Sequence, residues 1–488
     1  MQPSQNDYSK WFFMQQEYFL LINGKRRQGA ECQPVHNPYS GKVVARVHRA
    51  DRAQVIEALN SAASGFHKMR LIPAHQRESI LKRTSELIQQ RSEELATCIA
   101  LEAGKPIRDA RVEVARASTT FSLAAGEAVR IHGEVLPLDI SPLCGDRIGM
   151  VARFPLGVIS AISPFNFPLN LVAHKVAPAL AAGNCVVLKP SSSTPITALL
   201  LGEILLEAGL PEYAIHIVPC APAQAEPLLT HPSVKMVTFT GSPAVGWELK
   251  TRCGKARICL ELGGNAAAIV EPDADLDFTV KRCVIGGYSY AGQICISLQR
   301  LYLHEDIVDR FLTQYVEAVQ SLRCGDPLSE ETQMGPMIDE AAALKTEILV
   351  KQAIQAGGRL LCGGKRRGNM FEPTVLAEVP FEQPVSCQEV FAPVTVVYRY
   401  GSFEEAVRSA DASDYGLQAG IFCRDINKIL LAFNRIEVGG LIVNDIPTYR
   451  ADNYPYGGVK ASGLGREGVR YAVEEMTERR ILVISNSR

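Results

Sequence analysis

The sequence predicts an α/β protein built on two parallel-sheet cores, with a small additional β element. After Phe154, short β-rich runs (GVISAIS 157–163, NCVVLKP 184–190, AIHIVPC 214–220, KMVTFTG 235–241) alternate with helical stretches. Such alternation marks parallel strands joined by covering helices, an architecture suited to nucleotides. A second series begins near Asn265 and runs through RLYLHED and VTVVYRY to GLIVND, which predicts a second α/β unit. Two stretches fit neither series. Residues 131–155 read as two or three strands, and RRILVIS (479–485) as one more. Strands without local partners pair with each other or with another chain, so a homo-oligomer is expected.

Taken in order, Tyr18 to Arg27 predicts a hairpin, because Asn23-Gly24 supplies the positive φ angles of a tight turn. From Asp51 to about Gly126 the text is helical. Ile80, Leu87, Leu95 and Ile99 keep a helix-like spacing until Gly104-Lys105-Pro106 interrupts it. Between the predicted strands, ITALLLGEILLEAGL (196–210) reads as an amphipathic helix. No internal repeat, low-complexity tract or long linker divides the chain.

Of the 488 residues, 47% are hydrophobic and 21% charged, which supports a large core rather than disorder. A net charge of −1 argues against nucleic acid or an acidic membrane surface as a partner recognised by bulk charge. The 13 cysteines form no C-x-x-C pair and no zinc-like cluster, so no metal is expected. Their odd number, with no apolar leader and no run long enough to span a bilayer, predicts reduced thiols in a cytoplasmic protein.

Four short stretches carry chemistry. In GQICIS (292–297), Cys295 taken alone is most simply a packed thiol, since buried cysteines are mostly inert. In SPFNFP (163–168), Asn166 sits on a proline-bracketed turn after a strand, where its amide can form the turn or donate to a developing oxyanion. In CLELGGN (259–265), Glu261 ends an apolar strand, an expensive place for a carboxylate that is neither paired nor used. GSPAVG (241–246) links a strand to a helix, so its N-terminal amides can hold a phosphate, although two glycines at this spacing are a weak signal. Lys189 ends NCVVLKP at the sheet edge where ligands bind. Together these offer a thiol, a donor amide, a carboxylate base and a phosphate-holding turn, as thiol-based oxidation of a carbonyl requires.

The motifs SPFNFP, LKPS, FTGSPAVG, LELGG, GQICIS, EVFAPV and PYGGVKASGLGREG occur in this order. Through them the chain resembles the aldehyde dehydrogenase superfamily over nearly its whole length, most closely the lactaldehyde and phosphonoacetaldehyde dehydrogenase branch. The resemblance implies an aldehyde dehydrogenase-like fold. Residues 1–130 and 156–262 would form a dinucleotide-binding domain and 263–470 a catalytic domain. Residues 131–155 and 471–488 would be the oligomerisation strands of a homodimer or homotetramer. It implies that Cys295 attacks the aldehyde and that Asn166, with the Cys295 backbone N–H, stabilises the oxyanion. Hydride then passes to NAD or NADP, and Glu261 activates the water that hydrolyses the thioester. Lys189, Ser192, Phe165, Gly241, Ser242, Glu389 and Phe391 become the coenzyme-binding residues. Arg116, His174 and Arg450 become the residues around a small-molecule aldehyde, one with a short polar or anionic tail.

Three departures bear on these roles. Ser192 stands where many NAD-preferring members carry glutamate, which removes a repulsion from a 2′-phosphate, and so NADP use is expected beside NAD. VPCAPAQAE (218–226) lacks glycines that often border the adenine, and Ile294 replaces the arginine of members that oxidise glyceraldehyde 3-phosphate. Glu261 argues against the CoA-acylating alternative. The filled catalytic positions argue against a non-catalytic structural relative.

Overall fold

The computed structural model describes residues 16–145 and 147–485. The hairpin forms as expected: Leu20–Ile22 and Lys25–Arg27 pair antiparallel around Asn23 and Gly24, whose φ angles are 53° and 70°. Four helices follow, Arg52–Met69, Ala74–Gln90, Ser92–Ala103 and Ile107–Ala128. The first opens on a capping box between Asp51 and Gln54, and the third ends on Gly104 in the left-handed region.

The first series of strands builds an eight-stranded sheet. Its order is Gly463–Leu464, Arg257–Glu261, Val234–Thr240, Val158–Ile162, Cys185–Lys189, Ile215–Ile217, Leu20–Ile22 and Lys25–Arg27. The five inner strands are parallel, and the strand order reverses between Val158–Ile162 and Val234–Thr240. In open α/β sheets such a reversal leaves a crevice at the strands' carboxyl ends.

The second series builds a seven-stranded sheet with the order Arg359–Cys362, Thr374–Ala377, Val394–Tyr400, Leu298–His304, Ala266–Val270, Gln418–Phe422 and Gly440–Val443. All its pairings are parallel except the first. Each sheet has its own hydrophobic core.

The two stray segments find each other. Thr477–Ser485 pairs antiparallel along the whole of Arg147–Pro155, and Glu134–Pro137 completes a three-stranded sheet with Thr477–Ser485 at its edge. One expectation changes: Ile196–Glu207 is a helix, but not an amphipathic one. Ile196–Gly202, Ile204 and Leu205 are all buried, because the helix lies between the sheet and the helices Ala74–Gln90 and Ser92–Ala103. Among the described residues, no helix is long and apolar enough to cross a membrane.

Candidate active site

The carboxyl edge of the first sheet gathers most of the residues singled out from the sequence. Asn166 follows Val158–Ile162, Lys189 ends its strand, Gly241 and Ser242 follow Val234–Thr240, and Glu261 ends Arg257–Glu261. The second sheet presents the opposite edge of its strands. Cys295 precedes Leu298–His304, and Glu389 and Phe391 precede Val394–Tyr400. From Glu261 the chain crosses directly to the second sheet through Gly263 and Gly264.

Cys295 is presented by a strained loop. Tyr290, Ala291 and Gly292 hold φ angles of 48°, 53° and 67° in succession. The two non-glycine residues in this region cost about 1–3 kcal/mol each, so the surroundings must enforce them. Gln293, fully buried, does part of that work: its Oε1 accepts from Ile338 N (2.8 Å) and its Nε2 donates to the Tyr290 carbonyl (3.2 Å). The Cys295 Sγ lies 3.0 Å from the Tyr456 hydroxyl. Burial pushes the thiol up to about 12, against the opposing effects of the Tyr456 hydrogen bond and the Arg450 charge.

Asn166 is buried and donates through Nδ2 to the Gln293 carbonyl (2.9 Å). An amide nitrogen carries two hydrogens, so one remains for another acceptor. Its turn is braced from below. Glu113 Oε1 accepts from the N–H groups of Leu169 (2.9 Å) and Asn170 (3.1 Å), while Oε2 pairs with the buried Lys105. The Lys105 ammonium lies 3.6 Å from the centre of the Phe167 ring, inside the same turn.

Glu261 is 2% exposed, and neither carboxylate oxygen has a hydrogen-bond partner among the described residues. Burial raises its pKa well above the carboxylate range, and the Glu467 charge adds to the shift. Arg450 and Lys175 oppose it. Both are tied to Glu467, Lys175 Nζ to Oε1 (2.9 Å) and Arg450 to Oε2 (3.0 Å). Their charges outweigh burial and hold Glu467 below its ordinary range. Two buried carboxylates thus differ sharply, and Glu261 is the one with high proton affinity.

The residues expected to bind the coenzyme leave groups that a dinucleotide could use. Lys189 is nearly buried at the strand end, and among the described residues its ammonium holds only the Pro190 carbonyl at 3.4 Å, which leaves donors for a ribose or phosphate. Ser242 caps the helix Pro243–Arg252 without using its side chain on that helix, so both hydroxyl and first-turn amides can meet a pyrophosphate. The Gly241 N–H is already bonded to the Glu261 carbonyl (3.0 Å) and is not among those donors. Glu389 Oε1 accepts from Gly264 N (3.0 Å), and a Cβ on Gly263 would stand 2.2 Å from Glu389 Oε2. Burial lifts this carboxyl to about 7. Phe391 packs edge-on against Phe165, with ring centres 5.9 Å apart.

On the other side of Cys295 lies a pocket lined by Arg116, Arg450, Phe167, Leu171, Ile294 and Tyr456, among others. Of the three residues expected around the substrate, Arg116 and Arg450 line it. His174 does not: it is fully buried behind the wall, with Nε2 2.8 Å from Asp452 Oδ1. Asp452 also accepts both arms of the Arg116 guanidinium (2.7 and 3.1 Å) and Asn170 Nδ2 (3.3 Å). Burial works against its charge, but these bonds hold the carboxyl well below its ordinary range. The Arg450 guanidinium stacks 3.6 Å from the Tyr456 ring centre, and its buried Nε has no hydrogen-bond partner among the described residues.

Sequence reasoning missed Tyr456, Asp452, Glu113 and Glu467. Tyr456 and Glu467 lie inside the motif PYGGVKASGLGREG, and Asp452 in YRADNYP. The only local signal was polar groups placed in otherwise buried text.

Residues 25–482 match the model of the aldehyde dehydrogenase family. The 3-sulfolactaldehyde dehydrogenase of Priestia aryabhattai is 43% identical over 470 residues, covering 96% of this chain and 98% of that protein. The lactaldehyde dehydrogenase of Methanocaldococcus jannaschii is 40% identical, covering 96% of this chain and all of its own. The crystal structure of aldehyde dehydrogenase 21 from Physcomitrella patens, in complex with the reaction product succinate, superimposes with a TM-score of 0.95 at 45% identity, covering 97% of this chain and 99% of that one. Similar solved structures include NADP complexes and an NAD-dependent enzyme. The chain belongs to the aldehyde dehydrogenase family and is an NAD(P)-dependent oxidoreductase that oxidises aldehydes.

Proposed function

We propose that the protein oxidises a short aldehyde with an anionic or hydroxylated tail to the free carboxylic acid, through a thiohemiacetal and a thioester on Cys295. The Cys295 thiolate adds to the carbonyl carbon, the new C–S bond forms, and the π pair moves to oxygen. That oxyanion meets the free Asn166 amide hydrogen and the Cys295 backbone N–H. Bound NAD(P)+ supplies the acceptor for the hydride that leaves the same carbon. Glu261 then takes a proton from water, the oxygen attacks the thioester, and the C–S bond breaks to return the thiolate. The carboxyl of Glu261, without a hydrogen-bond partner among the described residues, supports this base role. Because its pKa is raised, the base form grows with pH, and so does deacylation.

The observation that carries the tail is that Arg450 and Arg116 both line the pocket that Cys295 also lines. Two arginines at one pocket favour a carboxylate, sulfonate or hydroxyl acceptor on the substrate. A sulfolactaldehyde-oxidising relative and a succinate-bound neighbour fit the same chemistry. Ser192 and Lys189 support acceptance of NADP, and the edge strand Thr477–Ser485 supports a homodimer or homotetramer.

Rapid-quench kinetics tests the mechanism. Cys295→Ala should show no hydride transfer, and Glu261→Gln one burst of reduced coenzyme per site followed by a stall. Steady turnover of Glu261→Gln without a burst would sink the assignment.

A further inference from the structure

We propose that Tyr456 is a catalytic residue whose hydroxyl donates a hydrogen bond to the Cys295 sulfur and stabilises its thiolate. The inference rests on the reading of Cys295 as the nucleophile. The two atoms are 3.0 Å apart. Either can donate while the thiol is protonated, but once Cys295 ionises only the phenol can, and the bond becomes charge-assisted. The phenol stays protonated, since burial pushes its pKa well above the ordinary tyrosine range.

The hydroxyl is held in place. Tyr456 is 2% exposed, and its backbone exchanges hydrogen bonds with that of Glu467 (3.0 and 2.6 Å). Its ring packs with Ile296 and Leu417, and the Arg450 guanidinium covers one face. A cation over the ring draws electron density from the phenol and makes its O–H a better donor. Four groups act on the Cys295 charge. Tyr456 and Arg450 favour the thiolate, while Glu261 and Glu389 oppose it. Tyr456 is the one that touches sulfur.

During attack the sulfur lone pair becomes the C–S bond, the carbonyl π pair moves to oxygen, and Tyr456 keeps its proton. The hydrogen bond therefore raises the population of thiolate while weakening each thiolate as a nucleophile. If its loss raises the thiol pKa by about one unit, the thiolate is tenfold scarcer but about threefold more reactive, from a Brønsted slope of about 0.4–0.5. The net effect below the pKa is about threefold.

Tyr456→Phe removes only the oxygen. The test is the rate of modification of the Cys295-bearing peptide from pH 7 to pH 10, by alkylation with iodoacetamide and by methylthiolation with methyl methanethiosulfonate, followed by mass. Thermal midpoint and NADP titration verify that the variant is folded. The expected result is a Tyr456→Phe rate about threefold below wild type at each pH, with both reagents. Coincident profiles, a faster variant, or a difference with only one reagent (a steric effect) would overturn the proposal. Whether Cys295 is the nucleophile at all is read separately, in the loss of hydride transfer expected of Cys295→Ala.

Discussion

Replacing Asp452 with asparagine keeps the shape of the side chain and removes its charge. One amide oxygen can still accept from His174, but the NH2 group now faces a guanidinium arm of Arg116 that formerly bonded to carboxylate. Breaking a buried ion pair costs about 3–5 kcal/mol. The Arg116 side chain is 25% exposed and regains water, so a cost of about 2 kcal/mol is the better figure. The sign with pH follows from the depressed carboxyl. Its stabilisation is fully present above the unfolded pKa of about 3.9 and is lost as pH falls through the folded value. The apparent Tm of Asp452→Asn should therefore lie below wild type at pH 7, with the gap narrowing only below about pH 4. Arg116 loses its anchor at the same time, so KM for an aldehyde with an anionic tail should rise about tenfold, or about 1.4 kcal/mol, with propanal little affected. A Tm gap unchanged from pH 7 to pH 3, or equal changes for both aldehydes, would refute the reasoning.

Two further outcomes are expected. Ser192→Glu should weaken NADP at least tenfold, with NAD little changed, because the new carboxylate faces the 2′-phosphate; coenzyme titration by fluorescence reads this, and equal losses would remove Ser192 from the site. Leu482 and Ile484 pair with Met150 and Ile148, and all four are exposed on the edge sheet, at 57%, 44%, 45% and 44%. Changing Leu482 and Ile484 together to lysine should lower the mass measured by light scattering towards that of one 53.3 kDa chain, and an unchanged mass would place the interface elsewhere.

The sequence by itself determined the local elements and singled out the candidate reacting groups. The Asn23-Gly24 turn, the parallel strands and the long helices were legible because each depends on neighbours within a few residues. Cys295, Asn166 and Glu261 were legible because each sits in a short motif of its own. The polarity of Ile196–Glu207 was not, because its second covered face belongs to helices some hundred residues earlier. Nor was the role of His174, which serves Asp452 from behind the pocket wall, 278 positions away. The tertiary structure alone decided that Tyr456 meets Cys295 across 161 positions and that Arg116 meets Asp452 across 336. Those contacts follow from how the helices and loops pack around the two sheets. Strand order, unlike strand existence, is a property of the whole packed chain.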